Sequence, residues 1–566
     1  MMNVREVYCE YPSGPMAIAT ERPRFGWELS VDDDADRGGS AGAAGAGNES
    51  AAGPPAAEIY EPHFTFQGFR YVRVDEWPAG VPAGEPEAAA GGRRPAAPAG
   101  GGATIDAGAF AAVVLHSDMR ETIEFESSNA KLNRLHENIR WGWKGNALDI
   151  PTDCPQRDER LGWTGDAQVF AGTATYLTDC GAFFTKWLRD LAAEQREDDG
   201  GVPFVIPDVL SSVSEHDGNI RESHSSTGWG DAAVIIPWTI YRRFGDRRLL
   251  AEQYPSMKRW IEYIRAHARD GLLWDSGFHF GDWVALDAKE GSFFGATPND
   301  LTATAYYARS AWLLALAAAE LGNGDDEKRY RELSSRITEA FRNEFFTPSG
   351  RLAARTQTAH LLVLAFDLVP AEHRRRTVDT LVDLIRENDD HLVTGFLGTP
   401  LLCPVLADNA RIDIAYELLM REEYPSWLYQ VNQGATTIWE HWDGLKPDGT
   451  MWSPKMNSFN HYAYGAIGSW MYATLGGIDL DASDPAARRF VVAPRPGGGI
   501  TSCRAVYRSL FGPLAVDWKL RDSRLEATVD VPANTEVTLR RFDGRSDTPS
   551  EESLAPGRHE RKWNYG

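Results

Sequence analysis

One stretch constrains this chain more than any other: Asp153-Cys-Pro-Gln-Arg-Asp-Glu159-Arg-Leu-Gly-Trp163-Thr-Gly-Asp166. Three acids (Asp153, Asp158 and Glu159) and two arginines (Arg157 and Arg160) crowd into eight residues, and Trp163 and Asp166 follow. Charge this dense between apolar runs is costly to bury unless it is paired or used. A surface loop laced with salt bridges satisfies that composition as well as a binding site does. Trp163 favours the site, because an aromatic ring can pack on the apolar face of a pyranose while charged groups bind its hydroxyls. The apolar run beyond the stretch predicts a helix over Ala167 to Leu177, with Thr164 as its N-cap.

A second stretch answers the first. Ala435-Thr-Thr-Ile-Trp439-Glu440-His441-Trp442-Asp443-Gly444 sets a carboxylate between tryptophans. An apolar surround raises a carboxylate's pKa and shields it from bulk water. Two carboxyl groups from distant chain positions, each among aromatics, form the pattern expected of a glycosidase.

The Asp153–Asp166 stretch resembles the signature of the bacterial α-L-rhamnosidases of glycoside hydrolase family 78. The likeness continues through Gly228-Trp-Gly-Asp-Ala232, Gly281-Asp-Trp283, Tyr424-Pro-Ser-Trp427, Gly434-Ala-Thr-Thr-Ile-Trp-Glu440 and Met456-Asn-Ser-Phe-Asn-His461-Tyr462, covering roughly Glu124 to Asp479. Six blocks in the right order are far more specific than one short motif. The resemblance implies an inverting hydrolase with Glu159 as general acid and Glu440 as general base. Asp158 competes with Glu159 for the acid's role. The resemblance also implies sugar-hydroxyl contacts from Asp153, Asp166, Asp282 and His461, with Arg157 orienting a carboxylate or a hydroxyl. Asp231 is either a further hydroxyl ligand or a helix-start acid. By the same resemblance Trp163, Trp229, Trp283 and Trp442 are aromatic walls. Read residue by residue, each has a structural alternative: a salt bridge for Glu159, a tryptophan N–H partner for Glu440, helix capping for Asp153 and Asp166, and the core for any single tryptophan or histidine.

The chain is long enough for several domains, and its net charge of −23 argues against nucleic acid or an anionic membrane as partner. Five scattered cysteines show no metal-ligand spacing and read as reduced thiols in a cytoplasmic protein. No apolar signal core opens the chain, and no stretch reaches the length of a membrane span. No cofactor or metal is expected. The expected partners are small rhamnosylated glycosides or oligosaccharides, with a homo-oligomer left open.

The fold expected is multidomain and mainly α. Residues 1–30 read as a β-domain fragment, with strands near Cys9 and at Pro23 to Trp27, and 31–57 as a flexible linker. Residues 58–118 read as a partial β-sandwich interrupted by an Ala/Gly/Pro-rich insert, with strands over Glu61 to Val74 and Ala111 to His116. From 119 to 479 the apolar period becomes helical. Leu132, Leu135 and Ile139 make one stripe; Tyr330, Leu333, Ile337 and Phe341 another; Val378, Leu381, Val382 and Ile385 a third. Similar stripes lie near Trp187, Trp260 and Trp312. Periodicity leaves solenoid and toroid equal, and the resemblance implies an (α/α)6 barrel. Alternation at Leu525, Ala527, Val529 and Val531, with turns at Gly512-Pro513 and Pro532-Ala-Asn534, predicts a small β-sandwich over 480–545. Residues 546–566 read as a loose tail. Most accessory β-domains expected of the family between residues 30 and 60 are missing. Two other readings compete: another (α/α)6 glycosidase, acting on a fucoside or glucoside, and an inactive carbohydrate-binding or scaffold protein.

Overall fold

The computed structural model describes the backbone of residues 2–9, 25–31 and 57–60. It also describes residues 114–566 apart from 158, 215–223, 454–455 and 482–487. The chain forms two units, Met1–Asp118 and Met119–Gly566. In the first, β1 (Met2–Cys9), β2 (Phe25–Val31) and β3 (Ala57–Tyr60) make an antiparallel sheet in the order β1-β2-β3. The strands expected near Cys9 and Trp27 are β1 and β2. Of the linker expected at 31–57, Val31 closes β2 and Ala57 opens β3, while 32–56, like the strand expected over 61–74, lies outside the described residues. No strand forms over 114–116, at the end of the run expected as Ala111 to His116. The nearest strand among the described residues is β4 (Ile123–Ser127), and it belongs elsewhere.

The second unit is mainly helical up to Leu475. α1 (Ala130–Asn146) is capped by Asn129, whose side chain accepts from the backbone N–H groups of Lys131 and Leu132. The short β5 (Ala147–Leu148) and β6 (Ile150–Pro151) follow. Then come α2 (Thr164–Leu177), α3 (Gly181–Glu194), α4 (Leu210–Ser214), α5 (Ala232–Phe244) and α6 (Arg247–His267). They are followed by α7 (Asn299–Leu321), α8 (Gly324–Phe345), α9 (Gln357–Ala365) and α10 (Arg374–Arg386). The helical part closes with α11 (Thr399–Asp408), α12 (Ile412–Met420), α13 (Trp427–Asn432) and α14 (Ile467–Trp470).

Two kinds of helix alternate for a compositional reason. α2, α7 and α9 are rich in small and apolar residues all round and are buried on nearly every face. α6, α8 and α10 carry one apolar stripe under a charged face. Tyr330, Leu333, Ile337 and Phe341 are all buried, as are Val378, Leu381 and Ile385, whereas Val382 is half-buried. Trp312 departs from the expected stripe: it is 38% exposed, under the Arg331 guanidinium. α2 packs on α5, α5 on α7, α7 on α9, α9 on α11, α11 on α14, and α14 back on α2.

From Ile478 every regular element among the described residues is a strand. The five-stranded sheet has the order β14-β11-β10-β9-β4: β9 (Ser502–Ser509), β10 (Gly512–Arg521), β11 (Arg524–Val531) and β14 (Gly557–Asn564). The four-stranded sheet runs β13-β12-β8-β7: β7 (Ile478–Leu480), β8 (Arg489–Val492), β12 (Glu536–Arg541) and β13 (Ser550–Leu554). Leu525, Ala527, Val529 and Val531 are buried, as their alternation requires.

Three expectations are corrected here. β4 lies ahead of the first helix, yet it pairs with β9, Ile123 opposite Tyr507, so the C-terminal sheet includes the entry to the helical region. Gly512 and Pro513 open β10; the turn is Leu510–Phe511. The tail is not loose, because β13 and β14 lie within 546–566 and β14 pairs with β11 along its whole length. β14 lacks apolar alternation. It is held by its ladder and by ion pairs from Arg558 to Asp530 (3.1 Å) and from Lys562 to Glu526 (2.7 Å).

Candidate functional site

The residues expected to carry chemistry come from loops just ahead of the buried helices. Asp166 sits in the first turn of α2, Trp229 precedes α5, Trp283 lies ahead of α7, and His461 precedes α14. Thr164 is not the N-cap of α2. Trp163 holds that position, and the Thr164 hydroxyl instead donates to the Phe204 carbonyl at 2.8 Å. A cavity opens between these loops. It is lined by Asp153, Glu159, Trp163, Asp166, Trp229, Phe280, Trp283, Phe396, Glu440, Met456 and His461.

Arg157 joins the two glutamates. Its Nε donates to Glu159 Oε2 at 2.9 Å, and its Nη2 donates to the same oxygen. Nη1 donates to Glu440 Oε2 at 3.2 Å. Trp163 Nε1 donates to Glu159 Oε1 at 2.9 Å, so both Glu159 oxygens are engaged. Burial acts to raise the Glu159 carboxyl, but the Arg157 charge and the hydrogen bonds from Arg157, Trp163 and Asp153 hold it below the usual range. Glu440 is almost wholly buried. Its burial outweighs the nearby His461 and Arg157 charges and pushes its carboxyl up.

Asp153 is buried beside Glu159. Its Oδ1 accepts from the Leu161 N–H at 2.9 Å, and the Cys154 thiol donates to Oδ2 at 2.6 Å. Burial and then the Glu159 charge push its carboxyl well up. Asp153 and Glu159 therefore titrate as a pair that retains one proton into the neutral range. Asp153, Cys154 and Glu159 bring one potential ligand atom each within 4.8 Å of one another. In this arrangement Glu159 faces a guanidinium instead, and burial pushes the Cys154 thiol far up.

Asp166 and His461 form another part of the wall. His461 Nε2 lies 3.0 Å from Asp166 Oδ1, and in the neutral ring Nδ1 accepts from the Ala463 N–H at 3.3 Å. Burial lowers the His461 pKa, but the hydrogen bond and charge of Asp166 and the charge of Glu440 outweigh it and leave it raised. Trp229 is buried, and its Nε1–H has no acceptor among the described residues. Its ring rests on the start of α2 where Gly165 has no side chain: a Cβ there would lie 2.4 Å from the indole.

Several expected site residues are placed elsewhere. The Asp282 carboxylate accepts from the Gly395 and Leu397 N–H groups at 2.8 Å, from Gly398 N–H at 3.0 Å and from the Thr358 hydroxyl. Saturated by four donors, it braces the 394–398 turn and does not reach the cavity. Trp442 is core: it stacks on Tyr464 with ring centroids 4.2 Å apart and donates to the Thr394 carbonyl at 3.2 Å. Asp231 accepts from Gly228 N–H (2.8 Å), Trp260 Nε1 (3.1 Å) and Ser310 Oγ (2.6 Å), which makes it structural. Asp158 lies outside the described residues. Sequence reasoning missed Phe280, Phe396 and Met456 as lining residues. Met456 opens a quoted block and Phe280 adjoins another, but Phe396 has no local signal.

Comparison with known proteins identifies the family. The family model of the bacterial alpha-L-rhamnosidase 6 hairpin glycosidase domain matches residues 120–475. The chain belongs to the bacterial alpha-L-rhamnosidase family. The family's C-terminal domain matches 477–551 and its concanavalin-like domain matches 45–88, overlapping part of the expected linker. An alpha-L-rhamnosidase of Streptomyces avermitilis is 43% identical over 478 residues, 84% of this chain and 42% of that protein. A crystal structure of Streptomyces avermitilis alpha-L-rhamnosidase complexed with L-rhamnose superposes with TM-score 0.72 at 41% identity, covering 79% of this chain and 43% of that one. The Aspergillus terreus enzyme superposes with TM-score 0.80 at 36% identity, covering 90% and 55%. This chain spans less than half the length of the curated relatives of its family that it matches.

Proposed function

We propose that this chain removes terminal, non-reducing α-L-rhamnose from small rhamnosylated glycosides or oligosaccharides, with inversion at the anomeric carbon. The observation that carries the proposal is the convergence of Glu159 and Glu440 on Arg157 in a cavity walled by Trp163, Trp229 and Trp283. In this reading the closed succession of buried helices is an (α/α)6 barrel with its site at the loop end, and the three-stranded sheet of the first unit is what remains of an N-terminal sandwich.

Glu159 protonates the departing glycosidic oxygen. In the sugar-free molecule Glu159 is the more acidic of the two glutamates, so its proton comes from the pair it forms with Asp153. Glu440, made more basic by burial, takes a proton from the water that attacks the anomeric carbon on the other face. The two carboxylates bind different edges of one guanidinium, which favours the wider separation of an inverting pair, roughly 6.5–9.5 Å, over the ~5 Å of a retaining one. The surrounding carboxylates stabilise the oxocarbenium-like charge of the transition state. The aromatic walls suit the apolar C6 methyl of rhamnose, and the unpartnered Trp229 N–H is available to a ring hydroxyl.

Proton NMR during the first minutes of hydrolysis tests the stereochemistry. β-L-rhamnose should appear first and then mutarotate; early α-anomer, or a sugar trapped covalently on Glu440, contradicts inversion.

A further inference from the structure

Phe294 is 40% exposed, and its ring stands edge-on to Trp283 at 5.3 Å and to Phe278 at 6.0 Å. Phe278 meets Phe280 at 4.9 Å, and both Phe280 and Trp283 line the sugar cavity. Rings therefore run without a break from the cavity wall to solvent. The backbone holds Phe294 in place through an isolated antiparallel bridge to Trp283. Polar side chains of the same loop turn back on it: Ser292 Oγ accepts from the Phe294 N–H at 3.1 Å, and Asp287 Oδ1 accepts from the Ala296 N–H at 2.9 Å. A polyhydroxylated group resting here would lose water without gaining those partners, whereas a planar apolar group would cover exposed ring surface.

We propose that Phe294, backed by Phe278, is the platform for the substrate's leaving group, and that it selects planar aromatic aglycones over sugar aglycones. This inference rests on the rhamnosidase reading of the cavity. The test compares wild type with Phe294→Ala on 2-naphthyl α-L-rhamnoside, methyl α-L-rhamnoside and a rhamnosyl-glucose disaccharide, with L-rhamnose inhibition alongside. The naphthyl-to-methyl ratio of kcat/KM should fall about fivefold, carried by KM, as expected for the loss of one aromatic contact. Phe294→Trp should keep the ratio at or above that of wild type. A ratio unmoved within about twofold, an equal loss on the disaccharide, or an equal rise in the inhibition constant of L-rhamnose overturns the platform. A chain that binds the naphthyl rhamnoside by calorimetry, more weakly as Phe294→Ala, but hydrolyses nothing overturns the hydrolytic reading and supports the platform. A chain that neither binds nor hydrolyses any rhamnoside overturns both.

Discussion

At the scale of single residues, two carboxyl groups of one loop are pushed in opposite directions by their surroundings. Asp153 keeps its proton because it is buried beside Glu159, while Glu159 gives its proton up because Arg157 and Trp163 stabilise the anion. On the proposed mechanism, Glu159→Gln takes the proton donor from the leaving oxygen. Hydrolysis of alkyl rhamnosides should then slow roughly 100-fold or more, and activated aryl rhamnosides should suffer less. Equal losses on both classes would remove Glu159 from the acid's role. Asp153 has a separate signature in stability. Its folded pKa is raised above that of the unfolded chain, so its protonated form favours folding at low pH, and that contribution is lost as pH rises from the ordinary carboxylate range through the raised one. Thermal melts of wild type and Asp153→Asn should therefore converge at acid pH, relative to their difference near pH 8, with the variant gaining on wild type as pH rises. A difference independent of pH would contradict the burial account.

At the scale of elements, the site depends on turns set by groups that never touch the cavity. Phe396 lines the cavity because Asp282 binds the backbone N–H groups on either side of it. Asp282→Ala leaves three buried N–H groups and the Thr358 hydroxyl without their acceptor, which should cost about 3 kcal/mol or more in a denaturant midpoint. A loss below about 1 kcal/mol would show the turn to be held by something else. The same residue shows where the sequence was legible. Charge density marked Asp153, Arg157 and Glu159, and an isolated acid between tryptophans marked Glu440; all four meet in the structure. Asp282 and Trp442 carried similar local signals, acids and rings side by side, yet one saturates a turn and the other fills the core, because contacts from residues 358, 394–398 and 464 decide both. Helical stripes were plain in α8 and α10, whose solvent faces are charged. β14 was invisible, since a strand with both faces partly exposed carries no alternation and is paired only through β11.

At the scale of the whole molecule, helical region and C-terminal sheets form one unit, stitched by β4 on β9 and by Tyr176 donating to the Ile478 carbonyl at 3.0 Å. Arg157, Glu159, Glu440 and His461 all lie within that unit. We propose that this chain, spanning less than half of its curated relatives, is itself a competent rhamnosidase. The direct measurement is release of p-nitrophenol from p-nitrophenyl α-L-rhamnoside by the purified chain beside its Glu440→Gln variant. The account predicts saturable turnover by the chain and a loss of roughly 100-fold or more in the variant. No release above background by a folded chain, or equal rates for chain and variant, would contradict it.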